Sequence, residues 1–165
     1  MPAGTPLQRA VTPVTAALIT MLSLGGCASA PEAGSTAPAR APIPLELQAD
    51  AVATREFGLL AGGGWAQAWA LWNASAQQVI RQADFVRLNT VCRPALGVPY
   101  VVAATTRIDQ ETVRVDWRRA DAVGSNTLLY QAGSWRFVPD AASLADYRLG
   151  VDALVRKRRA AGSCH

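Results

Sequence analysis

The stretch Phe57-Gly58-Leu59-Leu60-Ala61-Gly62-Gly63-Gly64-Trp65-Ala66-Gln67-Ala68-Trp69-Ala70-Leu71-Trp72 decides how the folded part of this chain is read. Its first five residues complete a run, 47–61, of helix-forming composition, with Phe57 and Leu60 at an (i, i+3) spacing. Three consecutive glycines favour no regular structure and stop that helix. Trp65, Trp69 and Trp72 then recur at i, i+4 and i+7, the spacing of one helical face. A second break is expected over 73–76. A short third helix over 83–91 follows, with Phe85 and Leu88 inward and Pro94 and Gly97 ending it.

Downstream the pattern changes period. Residues 98–106 are rich in β-branched side chains, and 109–111 read as a turn. Residues 112–118 alternate, with Val113, Val115 and Trp117 on one face and Arg114, Asp116 and Arg118 on the other. Gly124-Ser125-Asn126 reads as a second turn before a strand over 127–131, and Gly133-Ser134 closes a hairpin into 135–138. Successive strands with short turns predict an antiparallel sheet, packed on the helices through one face. Pro139-Asp140 opens a final helix expected to run to about Arg159. The fold class is therefore α+β: N-terminal helices, about four antiparallel strands, and an extra C-terminal helix.

The N-terminus carries an address. Residues 14–24, VTAALITMLSL, hold no charge, and Arg9 is the only basic residue before them. A membrane-crossing helix needs about 20 apolar residues, so this run fits a signal-peptide core better. It ends in Leu24-Gly25-Gly26-Cys27, which resembles the bacterial lipobox. That resemblance implies cleavage before Cys27, diacylation of its sulfur, and a membrane-anchored protein on the extracytoplasmic face. A thiolate is the nucleophile such acylation needs, and two acyl chains hold where one is marginal. The alternatives are an ordinary cleaved signal and an uncleaved anchor. Residues 28–44, ASAPEAGSTAPARAPIP, hold four prolines and small side chains, a composition that makes a tether and no core. The organisation expected is thus 1–26 signal peptide, 27–44 lipidated cysteine and tether, and 45–165 folded domain.

Charge adds little to function. Without residues 1–26 the chain carries 15 basic and 12 acidic side chains, and four of the bases are Arg156-Lys157-Arg158-Arg159. The basicity belongs to the tail, so nucleic acid is not an expected partner. At a helix C-terminus those cations complement the backbone dipole; contact with anionic lipid is the other reading. Lys157 is the only lysine while arginine and alanine abound, which reads as the coding bias of a high-GC bacterium.

With Cys27 acylated, Cys92 and Cys164 remain. An exported compartment permits a bond between them; two free thiols are the alternative. His165 is the only histidine and no short cysteine pair exists, so no metal and no cofactor is expected. A phosphate loop is not expected either, since Gly62-Gly63-Gly64 lacks a following Lys-Ser/Thr.

Residues 57–72, 83–88 and 130–139 (YQAGSWRFVP), together with the order of helices before a four-strand meander, resemble the nuclear transport factor 2-like superfamily. The likeness spans about residues 48–139. The C-terminal helix ending in a cysteine departs from the minimal pattern. The Gly-broken Trp helix and Gly-x-Trp-x-Phe strand also look like small lipid-anchored domains of high-GC bacteria. The superfamily resemblance implies a cone in which a curved sheet wraps helices and leaves a pocket. Trp65, Trp69, Trp72, Tyr100, Trp117, Tyr130 and Phe137 are the residues expected to line it, although rings at helical spacing also make ordinary core. Superfamily members that are isomerases or dehydratases use a pocket carboxylate with Tyr or His, and proton transfer needs such a group. The candidates are Asp84 and Asp116, each with a bland alternative: a first-turn helix position for Asp84, and pairing with Arg114 or Arg118 for Asp116. The leading expectation is a non-enzymatic module at the cell envelope that binds a small apolar ligand or an envelope protein. A small-molecule isomerase or lyase is the alternative, and it requires one of those aspartates to be buried within reach of Tyr100 or Tyr130. An accessory domain for cell-wall enzymes is a third, because similar domains occur beside penicillin-binding modules.

Overall fold

The computed structural model describes residues 42–164, so the lipobox, Cys27 and most of the tether lie outside the described residues. Four helices come first: α1 (Leu45–Gly62), α2 (Trp65–Ala70), α3 (Ala74–Val79) and α4 (Gln82–Val91). A four-stranded antiparallel meander follows in the order β1 (Val101–Arg107), β2 (Thr112–Arg119), β3 (Ala122–Gln131), β4 (Ser134–Val138). Two helices, α5 (Ala141–Tyr147) and α6 (Val151–Ala160), close the chain. The α+β class and the coarse order, N-terminal helices, a four-stranded sheet and C-terminal helices, agree with the sequence pattern.

Helix α1 runs to the glycine triplet, where Gly63 takes a left-handed conformation and the Gly63 and Gly64 amides bond back to the Leu59 carbonyl. Its face Ala49, Ala53, Glu56 and Phe57 is buried. The small alanines bring the helix close to the sheet, where it packs on β1, β2 and β4. Val113 and Val115 of β2, Leu128 of β3, and Trp135 and Phe137 of β4 form the facing layer, all buried. Arg114 and Arg118, on the opposite face of β2, are exposed, as the alternation requires.

Three local expectations are corrected. The break expected over 73–76 is a helix start: the Asn73 side chain accepts from the Ala76 amide and caps α3. As a result α2 ends at Ala70, and Trp72 lies in a short extended segment that bridges to Phe137. The Leu71 carbonyl accepts from Phe137 and the Asn73 amide donates to the Phe137 carbonyl, so this segment occupies the free edge of β4.

Gly124-Ser125-Asn126 lies inside β3, not in a turn; the turn falls at Ala120-Asp121. A Cβ on Gly124 would come within 2.9 Å of three Trp117 ring atoms. The glycine is therefore a landing site for the cross-strand indole. Trp117 also donates to Asn126 Oδ1 at 2.7 Å, and Asn126 Nδ2 donates to the Val138 carbonyl at 3.1 Å, tying β2, β3 and β4 together.

The last helix is two helices. Asp140 caps α5 through the Ser143 amide, and Gly150, at φ 77°, turns the chain before α6.

A disulfide joins Cys92, at the end of α4, to Cys164, past the end of α6. It fastens the C-terminal helices to the N-terminal ones, where α4 and α6 already pack together.

Candidate functional site: a ring-walled cavity at Glu56

A cavity of about 280 Å³ lies between α1, the inner face of the sheet, and the C-terminal helices. Its walls are aromatic. Phe57 stacks on Tyr100 at 4.9 Å and meets Phe137 edge-on at 5.6 Å, while Tyr100 meets Trp117 at 5.1 Å. Across the cavity Trp72 stacks on Tyr147 at 5.7 Å and meets Phe85 at 4.7 Å.

The polar group among these rings is Glu56, fully buried on α1. Trp72 Nε1 donates to Glu56 Oε1 at 2.9 Å. Oε2 has no hydrogen-bond partner among the described residues. Burial pushes the Glu56 pKa up to about 8, with the Trp72 bond working the other way. The carboxyl is therefore largely protonated at neutral pH and presents an O–H as well as a carbonyl oxygen. Burial likewise raises the Tyr147 hydroxyl to about 12, against the pull of the nearby Arg158 guanidinium.

Two arginines also reach the lining. Arg119, at the end of β2, donates to the carbonyls of Val98, at 3.2 Å, and Ala95, and its guanidinium stands 4.8 Å over the Tyr100 ring. Arg158 comes from α6, inside the basic run 156–159, so the run is divided. Lys157 pairs with Asp146 on the outside, Arg159 donates to the Val91 carbonyl, and Arg158 turns to the cavity.

Of the residues expected to line a pocket, Trp65, Trp72, Tyr100, Trp117 and Phe137 do so. Trp69 instead ties α2 to the start of α4, donating from Nε1 to the Ile80 carbonyl at 2.8 Å. Tyr130 lies against Trp135 beside the β1–β2 turn. Neither candidate aspartate is in the cavity. Asp84 accepts from Arg81 at 3.0 Å in the first turn of α4, and Asp116 pairs with Arg114 at 2.7 Å on the outer sheet face. Each takes the bland role weighed for it.

The motifs in the sequence do not mark Glu56, Tyr147 or Arg119, and they mark Arg158 only as one of the basic run 156–159. For Glu56 a signal exists. It falls on the stripe Ala49, Ala53, Phe57, Leu60, one carboxylate on an otherwise apolar helix face. Arg158 and Tyr147 carry no such mark, because only packing turns them inward.

No protein-family model matches the chain, and no curated protein sequence is similar to it.

Proposed function

We propose that this is an extracytoplasmic, lipid-anchored module whose folded domain binds a small ligand in the Glu56 cavity, without a chemical step. The observation that carries it is Glu56 Oε2: an unpartnered carboxyl oxygen buried among aromatic rings at the edge of a cavity. An unmade buried hydrogen bond costs about 1–3 kcal/mol; Oε2 is closed to solvent, so a ligand atom recovers it by parting the rings around it. Rings on several sides, with Glu56, Asn89, Asn126, Asp140 and two arginines converging among them, give a lining able to bury and orient a small molecule. The Cys92–Cys164 bond supports an oxidising compartment, and the Leu24–Cys27 motif supports the anchor. The order of helices before a meander, with α1 laid across the sheet, supports a nuclear transport factor 2-like cone.

Native mass spectrometry of the purified full chain tests the binding reading. A co-purifying small molecule, lost on Glu56→Leu, is expected. A chain that carries no adduct and whose cavity tryptophans respond to no small aromatic or aliphatic compound would remove the reading. Intact mass tests the anchor: a chain starting at Cys27 with two acyl groups is expected, and an unmodified Cys27 rejects it.

A second reading is a small-molecule isomerase or lyase, with Glu56 in the part first assigned to Asp84 or Asp116. What favours it is the pKa of about 8, which suits a group that gives up and retakes a proton near neutrality. Glu56→Gln separates the two. It abolishes turnover if the carboxyl moves a proton, and it preserves binding if the group only holds a ligand.

A further inference from the structure

We infer that the cavity takes a small amphiphilic carboxylate: a flat apolar body of on the order of ten heavy atoms, sized from ~30 Å³ per water-sized volume, bearing one anionic head. This rests on the ligand-binding reading and adds the chemical class of the ligand.

Five cations outside the cavity have acidic neighbours: Arg81 with Asp84, Arg87 with Asp152, Arg107 with Glu46, Arg114 with Asp116, and Lys157 with Asp146. Arg55, Arg93, Arg118, Arg148, Arg156 and Arg159 have none among the described residues but are exposed, where water solvates the charge, and Arg136 is half-buried and donates to the Ala70 carbonyl. Arg119 and Arg158, the two arginines lining the cavity, have no carboxylate within ion-pair distance among the described residues. Both are half-buried, where an uncompensated charge is less well solvated than on the surface.

The cavity's own acids offset at most one of these two charges, because Asp140 is a single carboxylate. Both oxygens of Asp140 are engaged by Ser143, Oδ1 by the amide at 2.9 Å and Oδ2 by the hydroxyl at 2.7 Å, as the cap of α5. Glu56 is committed to Trp72 on one oxygen and is largely neutral. The lining therefore has positive charge to spare, and arginine's fork is the donor geometry that suits a carboxylate.

One of the two arginines is held in place. The bonds from Arg119 Nε and Nη2 to main-chain carbonyls, and its seat over Tyr100, fix the guanidinium plane and leave Nη1 without a partner among the described residues. A donor oriented before binding loses little freedom on binding. The rings of Phe57, Tyr100, Trp117 and Phe137 supply the surface for a flat body.

Isothermal titration of the purified full chain with naphthalene-2-carboxylate, its neutral isostere naphthalene-2-carboxamide, and inorganic phosphate tests the inference. The carboxylate should bind at least tenfold more tightly than the amide, and phosphate should not displace it. Arg158→Met should weaken the carboxylate about tenfold and leave the amide unchanged. Arg119→Lys, which retains charge and stem, is the second variant should Arg158→Met fail to fold, and it should narrow the carboxylate-to-amide ratio. Equal affinity for acid and amide, or a ratio that neither variant moves, overturns the anionic class while ligand binding itself stands. Displacement by phosphate overturns the amphiphile in favour of a bare anion site. If neither aromatic compound binds saturably and no small molecule co-purifies, the binding reading falls and this inference with it.

Discussion

Trp72 Nε1 donates to Glu56 Oε1 at 2.9 Å, joining residues 16 apart in sequence. The bond satisfies one carboxyl oxygen at the centre of the fold and leaves the other open. It couples the edge segment of β4 to α1, so proton occupancy of Glu56 is linked to folding. Tyr147, Arg158 and Asp140 are the other ionisable groups nearby.

The pKa of Glu56 stands at about 8 in the folded chain against 4.5 for the free group. Between those values the folded state holds more proton than the unfolded one, so stability falls as pH rises, by up to about 1.4 kcal/mol per pH unit. Below about pH 4.5 the contribution is fully present, and above about pH 8 it is fully lost. Glu56→Gln keeps an acceptor for Trp72 and cannot ionise, so it should flatten that slope. Urea unfolding at pH 5, 6, 7 and 8 measures it; parallel curves for the two proteins would refute the buried acid.

Trp72→Phe keeps a ring in the Phe85 and Tyr147 cluster but removes the donor. Glu56 Oε1 then joins Oε2 in having no partner among the described residues, which should cost about 1–3 kcal/mol. Because the Trp72 bond lowers the Glu56 pKa, its loss should move the pH-dependent part of the stability curve upward. Denaturation across the same pH series reads both effects.

Gly124→Ala should destabilise by about 1–3 kcal/mol, since the new methyl meets the Trp117 indole. The change displaces the ring from Asn126 and so disturbs the cavity wall. Trp117→Leu in the same chain should recover most of the loss that Gly124→Ala adds. A thermal-melt double-mutant cycle tests this; additive losses would place the clash elsewhere.

Cys164→Ser opens a disulfide spanning 72 residues. The chain-entropy model values such a link at up to about 4 kcal/mol, and about 2–4 is the expected loss. Ser163 and Arg158 line the cavity near this link, so ligand affinity should fall as well. Melting with and without reductant should show the same drop in the parent and none in the variant.

Ala132 adopts φ 48° in the two-residue turn between β3 and β4, ahead of Gly133 at φ 79°. A side chain beyond glycine is strained there, and Asn-Gly is the preferred pair for such a hairpin. Ala132→Asn should stabilise by about 0.5–1 kcal/mol, read as a higher urea midpoint. An unchanged or lower midpoint counts against the turn geometry.

Local pattern alone determined a good deal. The 3.6-residue spacing of the first half and the two-residue alternation of 112–118 are consequences of backbone geometry, and they placed α1, α2, α4, the sheet and the inward side of β2, but not α3. Cysteine count and the Leu24–Cys27 motif pointed to the pair that the fold joins. What the tertiary structure decided is where long-range partners override local preference. Gly124-Ser125-Asn126 has turn composition, yet an indole from the neighbouring strand needs that missing side chain, and so the strand continues through it. Glu56 carries no local mark of protonation, because its pKa is set by the rings and the Trp72 donor that fold around it. Arg158 reads as one of four tail cations until the packing of α6 turns it inward. Each of these depends on desolvation and contact between distant residues, which spacing along the chain does not encode.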